Sequence, residues 1–443
     1  MNRQMGRRQF LGTAASAAVV PFCLRGRLGA AQSINHVLSA GVSGGALHSI
    51  KIADKYEIPT FSKEEFKRRW LSLQQSMGSK NVDCLVIRDL FDLRYVSGVA
   101  GMMADACICL LPQRGNPSLI MPSGVMLGYA HEILPVPDLE IIEPAGMGSM
   151  DAMAAKLKAL GLEKGTLGID YISELSHSRY SQLQKKLPDA NFVEAGSIFL
   201  ASVRIKSFEE MEYCRKSLEN GEKAFMAMVN TARPGVTMRE VFGACMGSLA
   251  TSGSDIDQGP LWGTAHWPSA RPTGSAYPSF TGGSEHKLQK GDFIYMELYS
   301  AYAGYYSFVS EPIFMGKPPA DFVRRFELNK GMLRISSELL RPGHTQRDID
   351  DKVAEYLSSE LGEKITNDID EQGRPSLIDY KNMSPIAHRA DKLLKEILPG
   401  EIIALAPLSF WDRGPNHLVS DTYHTTDGAP EKISKLPVQI YAV

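Results

Sequence analysis

A histidine and an arginine in one stretch of the chain could support acid–base chemistry on a small polar molecule. Cleaving such a molecule without a metal needs a general base with a pKa near neutrality and an acid or electrophile opposite it. His266 is a candidate base, and Arg271 could clamp a substrate carboxylate through two hydrogen bonds. A purely structural loop histidine and a solvated surface arginine are the alternative interpretations.

Glu297 is the next candidate, because its neighbours in residues 293–298 are mostly apolar. Burial would raise the pKa of this carboxyl and allow it to act as an acid or a base, although a structural pairing with an arginine is also open. Tyr306 and Ser310 follow, and period-two alternation places them on one face of a strand, with Glu311 on the other. Tyr306 could donate a hydrogen bond to a substrate or be an ordinary strand aromatic.

Late in the chain, His417, Asp421 and His424 form a third group of candidates. His417 and Asp421 share a parity, whereas His424 should face the opposite side of a strand. Asp421 could take part in chemistry or only brace a hairpin. His388, beside Arg389, is a comparable candidate for the base.

The composition is that of an ordinary globular protein long enough for two domains. The chain has 443 residues, of which 44% are hydrophobic and 22% are charged, and its formal net charge is −2. This balance gives no reason to expect a nucleic-acid partner. After the N-terminal segment no apolar run is long enough for a transmembrane helix, so no membrane partner is expected.

Residues 1–31 resemble a twin-arginine export signal. Arg7 and Arg8 precede Phe10 and Leu11, and an Ala-rich apolar run follows. We therefore expect a periplasmic mature protein, with five arginines removed and a net charge of −7. Five cysteines would remain without CxxC spacing, and we expect buried thiols rather than disulfides.

The rest of the chain divides into an extension and two domains, which must position the candidates. Residues 32–60 are predicted to be a weakly structured extension. Residues 61–203 alternate helical and strand patterns, opening with a helix capped by Ser62, and predict an α/β domain. Residues 204–443 form the second predicted domain, which opens with a long charged helix.

The second domain contains an internal repeat. Arg233-Pro234-Gly235-Val236-Thr237 recurs as Arg341-Pro342-Gly343-His344-Thr345, 108 residues later. The phrase that starts at Lys290 recurs at Pro399, at an offset of 109. Two offsets that agree to within one residue predict a duplicated helix–helix–strand unit with pseudo-twofold symmetry.

This pattern resembles the pita-bread family of creatinase, prolidase and aminopeptidase P. The likeness covers about residues 60–443 and is most specific at residues 291–298, followed by Gly304-Tyr305-Tyr306-Ser307. It implies an α/β N-terminal creatinase-like domain plus an α+β pita-bread C-terminal domain with an internal pseudo-twofold repeat. Members similar to creatinase are homodimers, so a homodimer is expected by resemblance.

The resemblance also implies where metal ligands would lie. In the family's metallopeptidases two Asp, a His and two Glu bind two divalent cations. The matching carboxylate positions here are Glu297, Phe308, Ala406 and Ser420, and the family's Gly-His-Gly signature is absent between residues 367 and 390. We therefore predict no catalytic metal and no other cofactor.

Creatinase is a member of the family that keeps the fold without metals, and it hydrolyses a carbon–nitrogen bond with His and Glu side chains. Its active-site Glu and His would fall on Ser310 and near Ser279 in this sequence. The leading interpretation is a metal-independent, creatinase-like enzyme that cleaves a C–N bond of a small polar substrate. An Xaa-Pro metallopeptidase with a rearranged metal site, a lyase and a non-catalytic ligand- or peptide-binding protein are the alternatives.

Overall fold

The computed structural model describes residues 48–52, 56–99, 107–121, 138–144, 148–172, 175–255, 261–266, 271–272, 285, 287–365, 377–383, 396–411, 414–417 and 419–443. The N-terminal elements of this part are β1 (His48–Ile52), β2 (Tyr56–Thr60), α1 (Lys63–Ser79), β3 (Cys84–Ile87), α2 (Leu90–Ser97), β4 (Ile108–Pro112), β5 (Ser118–Ile120), β6 (Glu140–Ile142), α3 (Ser149–Ala159), β7 (Thr166–Ile169), α4 (His177–Lys186), β8 (Asn191–Glu194) and α5 (Gly196–Arg204).

A mixed sheet of order β6-β5-β4-β3-β7-β8 forms the centre of the N-terminal domain. Alternate residues of β3 enter two different cores, because successive side chains of a strand point to opposite faces. Leu85 and Ile87 pack in the core that includes α1 and α2, whereas Cys84 and Val86 pack against α3 and α4. The sheet is therefore covered by helices on both faces.

Residues 32–60 were expected to form a weakly structured extension, and the described part of this range contains two short strands. Strands β1 and β2 pair there in antiparallel fashion, with His48 opposite Thr60. Ile50, Ile52 and Ile58 are β-branched residues, which favour extended backbone. The short polar stretch around them concealed this pattern.

Helix α1 begins where the sequence predicted. Ser62 is its N-cap and accepts a hydrogen bond from the Glu65 backbone amide at 3.1 Å. The Glu65 side chain does not return the bond, because it pairs with Arg68 and Arg69. The Ser62 amide instead donates to Glu209 at 2.9 Å, which ties α1 to the start of the C-terminal domain.

The C-terminal domain contains two sheets, of order β10-β9-β11-β13-β19 and β14-β15-β17-β18, with β12 paired to β11 and β16 to β15. Its described elements are α6 (Phe208–Thr231), α7 (Met238–Thr251), β9 (Leu261–His266), β10 (Arg271–Pro272), β11 (Asp292–Tyr302), β12 (Tyr305–Val309), β13 (Ile313–Phe314), α8 (Ala320–Leu339), α9 (Gln346–Leu361), β14 (Ile378–Asn382), β15 (Ile402–Trp411), β16 (Gly414–His417), β17 (Asp421–His424), β18 (Glu431–Lys432) and β19 (Tyr441–Ala442).

The predicted repeat is visible in the turns that begin α7 and α9. Thr237 and Thr345 are the N-caps, and each forms a reciprocal capping box with the residue three places on. Gly235 and Gly343 precede them with φ angles of 94° and 86°, a backbone conformation that favours glycine. Equivalent residues thus make equivalent bonds in the two halves.

The same correspondence holds where the central strands begin. Asp292 accepts a hydrogen bond from the Gln289 amide at 2.9 Å, and Glu401 accepts one from the Leu398 amide at 2.8 Å. Each carboxylate closes the tight turn before its strand. Strands β11 and β15 therefore occupy corresponding places in the two halves.

One face of the β11–β12 hairpin lies on α6. Ser217 of the helix donates to the Ser300 carbonyl oxygen at 3.0 Å. Gly221 allows this close packing, since a Cβ atom there would lie 3.3 Å from the side chains of Ser300 and Ser307. The opposite face of the hairpin carries Glu297.

The remaining sequence expectations about cysteines and membrane spans can also be compared with the described residues. Every cysteine in that part is buried and unbonded to another cysteine, as predicted: Cys84, Cys107, Cys109, Cys214 and Cys245. No helix in the ranges given above is both long and apolar enough to cross a bilayer.

Candidate functional site

Glu297 lies near the middle of β11 and is half-buried. Tyr299, two residues on and therefore on the same face, donates its hydroxyl to Glu297 Oε2 at 2.9 Å. This hydrogen bond fixes the orientation of the carboxylate on the face of the strand. The two side chains form the polar part of this face.

Phe308 lies directly across the hairpin from Tyr299, and their ring centroids are 5.2 Å apart in an edge-to-face arrangement. Phe308 also packs against Ala404 and Ala406 of β15, in the other half of the domain. These three side chains are 2%, 0% and 0% exposed. The first and second halves therefore meet here through a closely packed apolar cluster.

A serine pair completes this junction of the two halves. Ser420, just before β17, accepts a hydrogen bond on Oγ from the Ser310 amide at 2.8 Å. The Ser310 hydroxyl donates to the Met296 carbonyl oxygen at 2.6 Å. The hydroxyl proton of Ser310, a predicted catalytic residue, is thus engaged with the main chain of β11.

Asp421 is buried beside the serine pair. Lys432 of β18 lies 2.6 Å from its Oδ2, and the hydroxyls of Ser434 and Tyr423 also bond to it. Burial nevertheless raises the pKa of Asp421 to about 6. These contacts match the bracing role that the sequence left open, since Asp421 joins β17 to β18. His424 lies 3.5 Å from Glu431.

Glu311 is a buried carboxyl that follows β12, and its predicted separation from the face of Tyr306 and Ser310 stays a prediction. Burial, reinforced by the negative charge of Asp421, raises its pKa well above the usual range of a glutamate. Within the described part of the chain, its Oε2 atom has no hydrogen-bond partner. Its neutral form therefore persists to a higher pH than that of an ordinary glutamate.

Tyr306 is almost fully buried on the same hairpin. It packs against Ala301, which lies opposite it, and its ring meets Phe91 of α2 at a centroid distance of 6.0 Å. An N-terminal helix therefore covers this end of the face that carries Glu297.

The backbone register places the remaining candidates. His266 and Arg271 lie opposite each other on β9 and β10, so the structure brings this predicted pair together. His266 also lies opposite Asp292, five residues or roughly 16 Å along β11 from Glu297. His417 lies opposite Leu408, on a strand whose Cα atoms come within 8 Å of β11. His388 lies outside the described residues.

Comparisons with known proteins show the same two-domain order. Residues 69–205 match the creatinase/prolidase N-terminal domain, and residues 212–410 match metallopeptidase family M24. The ectoine hydrolase of Halomonas elongata is 25% identical over 65% of this chain and 75% of its own. The creatinase of a Bacillus species is 22% identical over 66% and 70%.

Among solved structures, an Xaa-Pro dipeptidase from Bacillus anthracis superposes with a TM-score of 0.69 at 21% identity, covering 85% of this chain and all of the other. The chain has the two-domain pita-bread fold. The predicted fold class is thereby confirmed, including the creatinase-like N-terminal domain.

The residues of this pita-bread domain do not fit the metal pair that the metallopeptidase family implies. Divalent cations of this kind need oxygen or nitrogen ligands, and Phe308 and Ala406 supply none. Ser420 uses its side-chain oxygen to accept from an amide. In the described ranges no group of three or more His, Cys, Asp or Glu side chains could hold a metal.

Tyr299 is the residue of this site that sequence reasoning missed. Its signal was its position two residues after Glu297 on a predicted strand, which places both on one face. The pita-bread site therefore consists of a carboxylate and its phenolic donor beside an apolar cluster.

Proposed function

We propose that this pita-bread protein is a hydrolase that cleaves a C–N bond of a small polar molecule without a metal, with Glu297 as the general base. The observation that carries the proposal is the Glu297–Tyr299 pair beside the apolar cluster of Phe308, Ala404 and Ala406. Its relatives include an ectoine hydrolase and a creatinase. A hydrolase of this family is the coarser conclusion that these relatives support.

The reaction follows from the properties of a hydrogen-bonded carboxylate. Glu297 takes a proton from a water molecule, whose oxygen then forms a bond to the substrate carbon. When the C–N bond breaks, the leaving nitrogen takes the electron pair and receives the proton from the Glu297 carboxyl. Tyr299 holds the carboxylate in place at 2.9 Å throughout. Water is consumed and no oxidant or reductant is required.

A substrate screen tests this proposal. Guanidino, amide and ureido compounds are incubated with the purified chain, and the released amine or ammonia is measured. Glu297→Gln should lower the rate of a hydrolysed compound by about a hundredfold or more, because a general base contributes a factor of this order. Glu338→Gln, in an exposed ion pair with Arg334, is the matched control and should change nothing.

Two outcomes would overturn the proposal. Full activity in the Glu297→Gln variant would remove Glu297 from the reaction. If no compound is hydrolysed but some raise the melting temperature, the protein binds small ligands without catalysis.

The proposal includes a cellular location and an assembly. Arg7 and Arg8 of the N-terminal segment support export to the periplasm. Replacing both by lysine should retain the protein in the cytoplasm, as fractionation would show, and unchanged export would contradict this route. A homodimer is proposed by family resemblance, and sedimentation velocity would detect it.

A further inference from the structure

The N-terminal domain reaches the β11–β12 hairpin through a buried arginine. Arg69 of α1 is fully buried, and its guanidinium donates to Glu65 at 2.7 Å and to the Tyr95 carbonyl oxygen at 3.2 Å. The third bond is long-range: Nη2 of Arg69 lies 3.0 Å from the hydroxyl of Tyr305 in β12. One side chain thus joins a helix of the first domain to the hairpin of the second.

Tyr305 also forms a hydrogen bond to the long helix α6. Its hydroxyl donates to Glu210 Oε1 at 2.7 Å, and Glu210 also binds Arg68 at 2.8 Å. The network holds two arginines and two glutamates, Arg68 and Arg69 with Glu65 and Glu210, so its charges balance. Buried charges are tolerated when each is paired and hydrogen-bonded.

Aromatic rings fix the direction of the arginine. The guanidinium carbon of Arg69 lies 3.8 Å from the centroid of Phe61 and 4.6 Å from that of Tyr95. Stacking restrains the guanidinium plane, and the donors then point outward within that plane. The packing of Arg69 against Phe61 and Tyr95 therefore sets the direction of its bond to Tyr305.

Helix α2 holds the tip of the same hairpin at two more points. Arg94 pairs with Asp255 at 2.9 Å, and the same carboxylate oxygen accepts from the Gly304 amide at 2.7 Å. Gly304 has a φ of 87°, and a Cβ there would lie 3.2 Å from Arg94. On the other face, Phe91 packs against Tyr306.

We propose that Arg69 is a positioning residue for the site and that it acts through Tyr305. From Tyr305, β12 runs three residues to Phe308, which lies opposite Tyr299. Tyr299 in turn bonds to Glu297. Fixing Tyr305 therefore fixes the donor of the proposed base. This role rests on the proposed function of Glu297, but the hairpin geometry can be tested without any substrate.

Tyr305→Phe is the decisive variant, because it removes one hydroxyl while the 3.7 Å contact between Arg69 and Glu210 can remain. Hydrogen exchange measured by mass spectrometry should show about tenfold faster exchange in residues 298–309, with residues 320–361 of α8 and α9 unchanged. Arg334→Met, in an exposed ion pair, is the control and should leave both regions unchanged. Equal acceleration everywhere, or none in the hairpin, would overturn the proposal.

A spectroscopic signal reports on the site itself. The 16 tyrosines can be labelled with 3-fluorotyrosine, and loss of one ¹⁹F resonance in Tyr299→Phe assigns Tyr299. That resonance should move in Tyr305→Phe and in Arg69→Met, and Arg69→Lys should restore it at least in part because the positive charge is kept. An unmoved Tyr299 resonance in both variants would contradict positioning.

A double variant tests whether Arg69 acts on the hairpin through Tyr305. If Arg69 acts through Tyr305, Arg69→Met combined with Tyr305→Phe should exchange in residues 298–309 no faster than Arg69→Met alone. Multiplied effects would show that the two residues act independently. None of these measurements uses turnover, so failure of the substrate screen would leave the positioning result intact.

Discussion

The two faces of the β11–β12 hairpin are buried in different ways. One face contacts a network of paired charges, and the other packs in an apolar cluster. On one face, Tyr305 enters a buried network in which Glu210 is matched by Arg68 and Arg69. On the other face, Phe308 packs on Ala404 and Ala406, and by resemblance Phe308 and Ala406 stand at positions where the family's metallopeptidases have metal ligands. The carboxylates of the network thus face arginines of the chain, whereas Phe308, Ala404 and Ala406 are apolar and need no cation.

This contrast follows from the cost of burying charge. An ionised carboxylate loses its hydration on burial, and only a cation or several hydrogen bonds can offset the loss. Arginines are permanent partners, whereas a metal is a partner only when bound. Glu297 fits the same rule, because it is only partly buried and accepts the Tyr299 hydroxyl.

The largest effect is expected when a carboxylate is returned to the apolar face. Phe308→Asp should lower the free energy of unfolding by at least about 4 kcal/mol, since it removes a buried ring and leaves a charge without a partner. Urea denaturation measures this. Phe308→Leu should cost only about 1–2 kcal/mol. Recovery of the Asp variant by added Mn²⁺ or Zn²⁺ would show that a metal site persists and would break the comparison.

On the charged face, Glu210→Ala should lower the free energy of unfolding by about 3 kcal/mol, because it removes a buried carboxylate that bonds to Arg68 and Tyr305 and lies 3.7 Å from Arg69. Glu338→Ala removes an exposed partner of Arg334 and should cost no more than about 1 kcal/mol. Equal costs in urea denaturation would mean that the network is no more important than a surface ion pair.

Asp421 is an intermediate case, a buried carboxylate with one lysine beside it. Its pKa in the folded protein is about 6, above its unfolded value, so the folded state holds this proton more tightly. The stability from this group is present below about pH 4 and is lost as the pH rises through 6. Relative to wild type, Asp421→Asn should gain about 3 kcal/mol between pH 4 and pH 7. A relative loss would show that the Lys432 pairing dominates.

The smallest effect is expected at the Glu297 pair. Tyr299→Phe should lower the free energy of unfolding by about 1 kcal/mol, because Glu297 is only half-buried and water can replace the lost hydroxyl. Thermal unfolding measures this, with Tyr180→Phe, at a partly exposed tyrosine of α4, as the control. A cost above about 3 kcal/mol would mean that Glu297 is a buried structural group.

The sequence predicted the parts of this fold that depend on local bonds. Thr237 and Thr345 cap their helices with residues three places on, and the shared offset of the two phrases is enough to reveal the repeat. The resemblance to the pita-bread family also matched Phe308 and Ala406 to metal-ligand positions before the structure was known. Alternation along β11 predicted the strand face but was not applied to Tyr299.

The junction between domains could not be predicted, because its partners are distant in the chain. Arg69 and Tyr305 are 236 residues apart, and each type is common in other roles. The hydrogen-bond partner of the Ser310 hydroxyl could not be predicted for a related reason. Parity predicts which face a residue occupies, and only the packed structure shows that Ser310 bonds to the Met296 carbonyl oxygen.

A measurement of metal content decides whether the pita-bread site works without a divalent metal. The exported protein would be purified without chelator, and its metals would be measured by mass spectrometry alongside hydrolysis before and after chelation. The account predicts no stoichiometric divalent metal and no change in hydrolysis on chelation. About two ions per chain, with hydrolysis lost on chelation, would contradict it and favour a proline-directed metallopeptidase with a rearranged site.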